Sequence, residues 1–253
     1  LENTIKLQKE KEKNIHELND ERLRFFTNIT HELRTPLTLI LGPLEDLMGD
    51  VTLSDKHSKK ISIIHNSSLR LLNLINHILE FRKTQTQNRK LSVSKGNLAN
   101  LIQEIGLKYK ELNQNKDVHY HTVIESGEHE IFFDEDVINM IVDNLMSNAG
   151  KYTSKGDIYL RLNHLEENQL KYTEISVSDT GYGISQEALP HIFNRYYQVN
   201  SEHQVAGSGI GLALVKSLAE LHEGILSVES TLDVGTTFRL KLLRNNTYPN
   251  AVH

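Results

Sequence analysis

Large apolar residues follow two different rhythms along this chain. In the first third they recur at three- and four-residue steps: Ile29, Leu33, Leu37, Ile40, Leu44 and Leu47. That spacing predicts an amphipathic helix. A break is expected at Gly49-Asp50, and Ser54 is placed to cap a second helix. On that helix Ile61, Ile64, Leu71, Ile75 and Ile78 form one stripe, widened by Leu72 and Leu79. Two helices with such wide apolar faces cannot both be satisfied by a lone hairpin. A four-helix bundle built from two copies would bury them, so a homodimer is expected. Upstream, residues 1–24 are charged and lack Gly and Pro. Leu1, Ile5, Ile15, Leu18 and Phe25 lie near a heptad seam that Gln8, Lys11 and Glu12 interrupt. This stretch reads either as a weak coiled coil or as a solvated helix.

The rhythm changes after residues 83–97, which are polar apart from Leu91 and Val93 and read as a linker between domains. Segments 118–124, 130–133, 157–163, 172–178, 225–230 and 236–242 alternate or are rich in β-formers. Helical patterns at 98–113, 135–150 and 209–222 lie between them. Strands mixed with helices predict an α/β sandwich. The expected fold class is therefore α + α/β: an N-terminal helical hairpin over 1–90, an α/β sandwich over 91–243 and a C-terminal linker over 244–253.

Composition narrows this little. The chain has 253 residues, enough for two cores, with 38% hydrophobic and 24% charged residues and a mean hydropathy of -0.42. That is the composition of an ordinary globular chain. A net charge of -5 supplies no global basic field, so direct contact with nucleic acid is not expected. Cysteine is absent, which removes disulfides and cysteine-ligated zinc. No apolar run approaches the roughly 20 residues of a membrane helix. The first residue is Leu rather than Met, so the chain reads as a fragment, which leaves room for a membrane anchor upstream.

Candidate chemistry sits in both halves. His31 lies about 200° around a helix from both Ile29 and Leu33, away from the apolar stripe. Its face carries Thr27, Asn28, Arg34, Thr35 and Thr38, and Glu32 is adjacent. An exposed imidazole beside a carboxylate can act as a nucleophile, although most surface histidines are simply solvated. Pro36 leaves the Glu32 carbonyl without its helical partner, so a bend is expected there. In the second half, Asn144 and Asn148 are four apart and share a helix face. Amide oxygens suit Mg²⁺, and Lys151 and Tyr152 follow. Asp179-Thr180-Gly181-Tyr182-Gly183 places a carboxylate and a glycine turn after a strand-like segment. Gly207-Ser208-Gly209-Ile210-Gly211-Leu212 opens a helix, where free backbone N–H groups can hold phosphate. The spacing matches neither a P-loop nor a dinucleotide fingerprint. Seven of the 14 glycines lie between residues 181 and 235, which concentrates the search there. Taken singly, each of these is also explained by a solvated helix end or a plain turn.

Taken in order, the strings carry more. Phe25-Phe26-Thr27-Asn28-Ile29-Thr30-His31-Glu32-Leu33-Arg34-Thr35-Pro36-Leu37-Thr38 resembles the H-box of sensor histidine kinases. The segments at 144–152, 179–184, 192–197 and 207–214 resemble that family's N, G1, F and G2 boxes, and Gly235-Thr236-Thr237-Phe238 matches the closing strand turn. The resemblance runs over roughly residues 20 to 243. It implies a Bergerat ATP-binding sandwich, the fold of gyrase and heat-shock chaperone ATPases.

The resemblance also implies roles. His31 would accept a phosphoryl group, with Glu32 as its activating carboxylate. Thr35 would orient water in dephosphorylation of a partner regulator, or serve only structure. Asn148 with Asn144 would hold Mg²⁺, Lys151 would meet phosphate, and Tyr152 would pack on the base. Asp179 would read adenine, with Gly181 and Gly183 letting the chain approach it. Residues 198–208 would be a lid. Gly207, Gly209 and Gly211, with Leu212, would border the triphosphate, and Arg195 would reach the γ-phosphate. Two departures stand out: Gly150 replaces a larger residue, and Asn194 replaces the usual acid.

The implied reaction is transfer of the γ-phosphoryl of ATP, with Mg²⁺, to His31, then to an aspartate of a response-regulator receiver domain, in trans or in the same full-length chain. The run Ile40-Leu41-Gly42-Pro43-Leu44-Glu45 resembles hybrid sensors. That implies the cytoplasmic portion of an inner-membrane sensor, with a receiver after residue 253. Two rivals remain: a dimeric scaffold with little catalysis, and a gyrase-type ATPase without a phosphohistidine.

Overall fold

The protein is described by a computed structural model; the residues it describes are 30, 33–48, 55–85, 90–198, 209–244 and 248. The chain divides into two compact units, Leu1–Lys83 and Thr84–His253.

In the first unit a helix spans residues 33–48 (α1), and a second runs from Asp55 to Gln85 (α2). Arg34 Nη2 donates to Asn76 Oδ1 at 2.5 Å, and His65 Nε2 lies 3.6 Å from Glu45 Oε1. The start of α1 therefore faces the later part of α2, and its end faces the earlier part. This is an antiparallel hairpin. Leu37, Leu41 and Leu44 of α1 are buried, as are Ile75 and Leu79 of α2. The expected stripe is divided: Leu33, Ile40 and Leu47 of α1 and Ile64 and Leu71 of α2 remain exposed in one copy. A two-helix hairpin can enclose only one side of each wide face. The expected break at Gly49-Asp50, the Ser54 cap and the 1–24 helix lie outside the described residues.

The second unit is a five-stranded sheet in the order β2-β4-β5-β7-β6: β2 is Val118–Ile124, β4 Gly156–Glu167, β5 Leu170–Asp179, β6 Ile225–Thr231 and β7 Gly235–Leu243. Only the β2–β4 pair is parallel; the others are antiparallel. Helices α3 (Leu98–Leu112), α4 (Glu135–Tyr152) and α5 (Gly211–Leu221) pack against the sheet. Ile158, Leu160 and Leu162 of β4 are buried at every second position, as are Phe238, Leu240 and Leu242 of β7. That alternation is the period of a pleated strand with one face in the core. β5 is the central strand, and Thr173 to Val177 are buried in succession. The β4–β5 hairpin turns on Asn168 (φ 51°) and Gln169 (φ 66°), two consecutive left-handed residues, as a tight hairpin twist requires.

The expected linker at 83–97 needs correction. Residues up to Gln85 continue α2, and Ser94–Asn97 form a strand, β1, paired antiparallel with β3 (Glu130–Phe133). Leu91 and Val93 are buried, and the Ser92 N–H donates to Asp134 Oδ2 at 2.7 Å. The two apolar residues of a polar string were its structural signal. In the stretch expected to begin a C-terminal linker, Tyr248 is 2% exposed and its hydroxyl lies 3.0 Å from His222 Nδ1.

Candidate functional site

α4 organises the site. Asp134 caps it, accepting from the Val137 N–H at 3.0 Å, and Glu135 and Asp136 sit in the first turn, where the helix dipole favours acids. Val137, Ile138, Ile141, Val142, Leu145, Met146 and Ala149 are buried, which fixes the rotation of the helix. Asn144 Nδ2 donates to the Met140 carbonyl at 2.8 Å. Its Oδ1 is then the atom turned toward the start of α5: a side chain at Gly211 would place Cβ 2.9 Å from it. Asn148 is partly exposed one turn further along. Lys151 Nζ donates to the Tyr152 hydroxyl at 3.0 Å and lies 4.7 Å from the Tyr152 ring centroid, so the two side chains engage each other here.

α5 begins without a side-chain cap at Ile210 and without an acidic residue in its first turn. Among the described residues no side chain caps this end and no acid offsets its positive dipole, an arrangement that favours an anion. Leu212 sits partly exposed in this turn.

Asp179 ends the central strand, between Ile158 of β4 and Thr236 of β7. Its Oδ1 accepts from the Gly181 N–H at 2.9 Å. Burial pushes this carboxyl above its ordinary range, while the Gly181 and Thr236 N–H groups pull against that shift. The turn that follows is held on two sides. Tyr182 N–H donates to the Tyr152 carbonyl at 3.1 Å, and Ile184 N–H donates to Ser230 Oγ at 2.8 Å. Gly181 has no room for a side chain, because Cβ would run into the Tyr152 carbonyl and lie 2.9 Å from both Asp179 Oδ1 and Thr153 Oγ1. Gly183 has φ +67°, and its Cβ would collide with the Thr231 carbonyl.

Thr153 was missed by sequence reasoning. It is 3% exposed, and its Oγ1 has no hydrogen-bond partner among the described residues. Buried hydroxyls are normally bonded, so this atom beside Asp179 is set for a ligand group or a water. Its only sequence signal was its place directly after Tyr152.

Arg195 is exposed in the turn that precedes residue 198. Phe193 packs edge-on against Phe238 at 6.3 Å and anchors that turn to the sheet. Tyr196 N–H donates to the Gly209 carbonyl at 2.9 Å, and Gly209 has φ +67°. The chain thus returns at residue 209 to the point where it left at residue 196. Of the expected lid, residues 199–208, with Gly207, lie outside the described residues.

In the first unit, Thr35 is exposed on α1 near the Arg34–Asn76 bond. His31 and Glu32 lie outside the described residues. Asn144, Asn148, Lys151, Tyr152, Asp179, Gly181, Gly183, Arg195, Gly209, Gly211 and Leu212 all belong to the second unit. The α4, β5-turn and α5 segments that carry most of them adjoin one another through the Asn144–Gly211 and Tyr152–Tyr182 contacts.

Among the described residues no helix is long and apolar enough to cross a membrane. Residues 21–87 match the family model of the His Kinase A (phospho-acceptor) domain. Residues 133–246 match that of the histidine kinase-, DNA gyrase B- and HSP90-like ATPase. The chain is 39% identical over 239 residues to histidine kinase P4 of Formosa agariphila, covering 92% of this chain and 17% of that protein. It is 36% identical over 240 residues to the sensor histidine kinase TmoS of Ectopseudomonas mendocina, covering 91% of this chain and 24% of that one. The chain thus spans a quarter or less of these two curated relatives. Among solved structures, full-length ShkA in complex with AMPPNP superposes with a TM-score of 0.70 at 25% identity, over 87% of this chain and 45% of that one. With a phosphoacceptor-type helical region followed by a kinase-type ATPase sheet, the chain belongs to the sensor histidine kinases and comprises their catalytic core.

Proposed function

We propose that this core binds ATP in its second unit and transfers the γ-phosphoryl group to His31, for delivery to an aspartate of a response-regulator receiver domain. The observation that carries the nucleotide reading is the end of β5. There a partly buried carboxylate, oriented by the Gly181 N–H, stands beside a hydroxyl without a partner among the described residues. Asp179 would accept from the adenine amino group, with Thr153 Oγ1 as a second polar contact. Gly181 and Gly183 keep the turn free of side chains that would fill the space. The uncapped start of α5, with Gly209, Gly211 and Leu212 and Gly207 preceding them, would border the triphosphate. Lys151 would leave the Tyr152 ring to meet phosphate, Tyr152 would pack on the base, and Arg195 would reach the γ-phosphate.

The donor set also fits Mg²⁺. Asn144 Oδ1 is turned toward α5, Asn148 shares its face, and among the described residues no group of three or more His, Cys, Asp or Glu competes as a metal cluster. Bound there, the ion would offset triphosphate charge. In the transfer itself, a ring nitrogen of His31 forms the bond to phosphorus as the bond to the β,γ-bridging oxygen breaks. ADP departs with that electron pair. Glu32 favours the imidazolium that develops and takes its proton.

Phosphotransfer hairpin (1–90), ATP-binding domain (91–243) and tail (244–253) are our working boundaries. Donor and acceptor then belong to different domains, so transfer requires a domain motion or a reaction across a dimer. A homodimer is supported by the exposed Leu33, Ile40, Leu47, Ile64 and Leu71 of one hairpin, which a second copy would cover. Thr35 is the residue proposed to orient water for a phosphatase step. The same reading makes this the cytoplasmic portion of a membrane-anchored sensor with a receiver further along the chain, and the relatives are long enough to hold such further segments.

The test is incubation with γ-labelled ATP. Acid-labile label on the wild type, absent from His31→Gln, is the expected result. Free phosphate without protein label would convert the reading to an ATPase, and no label or turnover would convert it to a scaffold.

A further inference from the structure

Gly150 sits in the last turn of α4, where glycine is less favourable to the helix than alanine. The structure accounts for it from outside the helix. A Cβ at this position would lie 2.5 Å from the Tyr120 hydroxyl of β2, but 3.8 Å from Tyr120 Cζ, an ordinary contact. The conflict is therefore with one oxygen atom and not with the ring. Tyr120 stacks on Tyr109 of α3, with centroids 6.1 Å apart. Tyr109 in turn donates its hydroxyl to the Asp143 carbonyl of α4 at 2.9 Å, and Lys108 Nζ meets Asp143 Oδ1 at 2.8 Å. Asp143 and Gly150 are seven residues apart, two turns along one face of α4. That face borders the one carrying Asn144, Asn148 and Lys151. Two neighbouring aromatic side chains thus meet α4 at two points beside its amide-bearing face.

The last turn of α4 is also linked to the adenine-side turn. The Tyr152 carbonyl accepts from Tyr182 N–H and abuts Gly181, whose own N–H holds Asp179 Oδ1. A shift at residue 150 would reach Gly181 through the Tyr152 carbonyl, and the Asp179 carboxylate through Gly181. We propose that Tyr120 is a positioning residue for the nucleotide site. It is matched to Gly150, and the pair sets where the last turn of α4 stands against the Asp179 turn. The proposal rests on the ATP-binding reading and adds a residue that touches no ligand.

The geometry makes the pair reciprocal, so a two-residue cycle tests it. MgADP affinity is measured for the wild type, Gly150→Ala, Tyr120→Phe and the double variant, with unfolding midpoints recorded alongside. Gly150→Ala forces the new methyl against the Tyr120 hydroxyl and is expected to weaken MgADP binding about fivefold or more, since small misplacements of a binding group are expensive. Tyr120→Phe removes the opposing oxygen, and the double variant returns to within about twofold of the wild type. A merely structural glycine predicts a different pattern: Gly150→Ala gains helix stability and keeps its affinity. That outcome, or a double variant no better than Gly150→Ala, overturns the proposal. A wild type that binds no MgADP instead sinks the nucleotide reading on which the proposal depends.

Discussion

Replacing Asp179 by Asn tests the adenine assignment while leaving the surrounding turn intact. In the wild type the carboxylate accepts from the Gly181 N–H, at 2.9 Å, and from the Thr236 N–H, and its remaining lone pairs can accept one bond more. The Asn amide oxygen can keep the Gly181 bond, which turns its NH₂ toward the position of the adenine amino group. A hydrogen bond to a charged acceptor contributes about 1.5–3 kcal/mol, and an opposed, unpaired donor costs about 1–3 kcal/mol more. Together these amount to about 2.5–6 kcal/mol, or roughly two to four orders of magnitude in Kd. Stability should move the other way. Burial holds the Asp179 carboxyl above its ordinary range, so the charged form is disfavoured in the folded state. Removing that charge leaves the apo protein as stable as the wild type or slightly more so at neutral pH. The assay pairs calorimetric titration with MgATP and urea unfolding of the apo protein. Affinity within about threefold of the wild type in a folded variant refutes the adenine role. Loss of the fold refutes the claim that the turn tolerates the neutral amide.

Four further outcomes follow from other contacts. His222 is fully buried, its Nε2 accepts the Asp134 N–H at 3.0 Å, and burial holds it below its usual pKa. The unfolded chain takes up that proton first, so stability present above about pH 6.5 is lost as pH falls toward the folded value. His164, also held down, adds the same sign, so His222→Leu should shallow the acid limb of a urea-midpoint profile without abolishing it. Tyr248→Phe leaves His222 Nδ1–H without its partner and should cost about 1–3 kcal/mol in urea unfolding. Gly183→Ala combines φ +67° with a collision at the Thr231 carbonyl and should destabilise by about 1–3 kcal/mol, read in the same experiment. Leu71→Glu on the exposed face of α2 should raise the dimer dissociation constant about 100-fold, because each buried leucine contributes about 1.5–3 kcal/mol; light scattering after size exclusion reads it, and an unchanged dimer rejects that face as the interface.

Periodicity was sufficient wherever one face of an element meets one core. The alternation in 157–163 and 236–242 and the helical spacing in 135–150 correspond to β4, β7 and α4 to within a few residues. It was insufficient where a short segment is ordered by a distant partner. Ser94–Asn97 reads as polar linker because its strand character comes from pairing with residues 130–133 and from burial of only Leu91 and Val93. Tyr248 likewise gives no local sign that it will reach His222. Gly150 was legible as a departure from a pattern, but its cause lay on β2, thirty residues earlier.

The order of strings, from His31 through Asn148 and Asp179 to Gly211, carried the resemblance from which the family could be named, because residue types in a fixed order are a property of the sequence itself. Tertiary structure decided which of those atoms are free to act. Asn144 spends its nitrogen on Met140 and turns its oxygen to α5, Lys151 rests on Tyr152, and Thr153 holds a hydroxyl beside Asp179 that has no partner among the described residues. A residue's type follows from the sequence. Whether its polar atoms are already satisfied depends on neighbours that only folding brings within hydrogen-bonding distance.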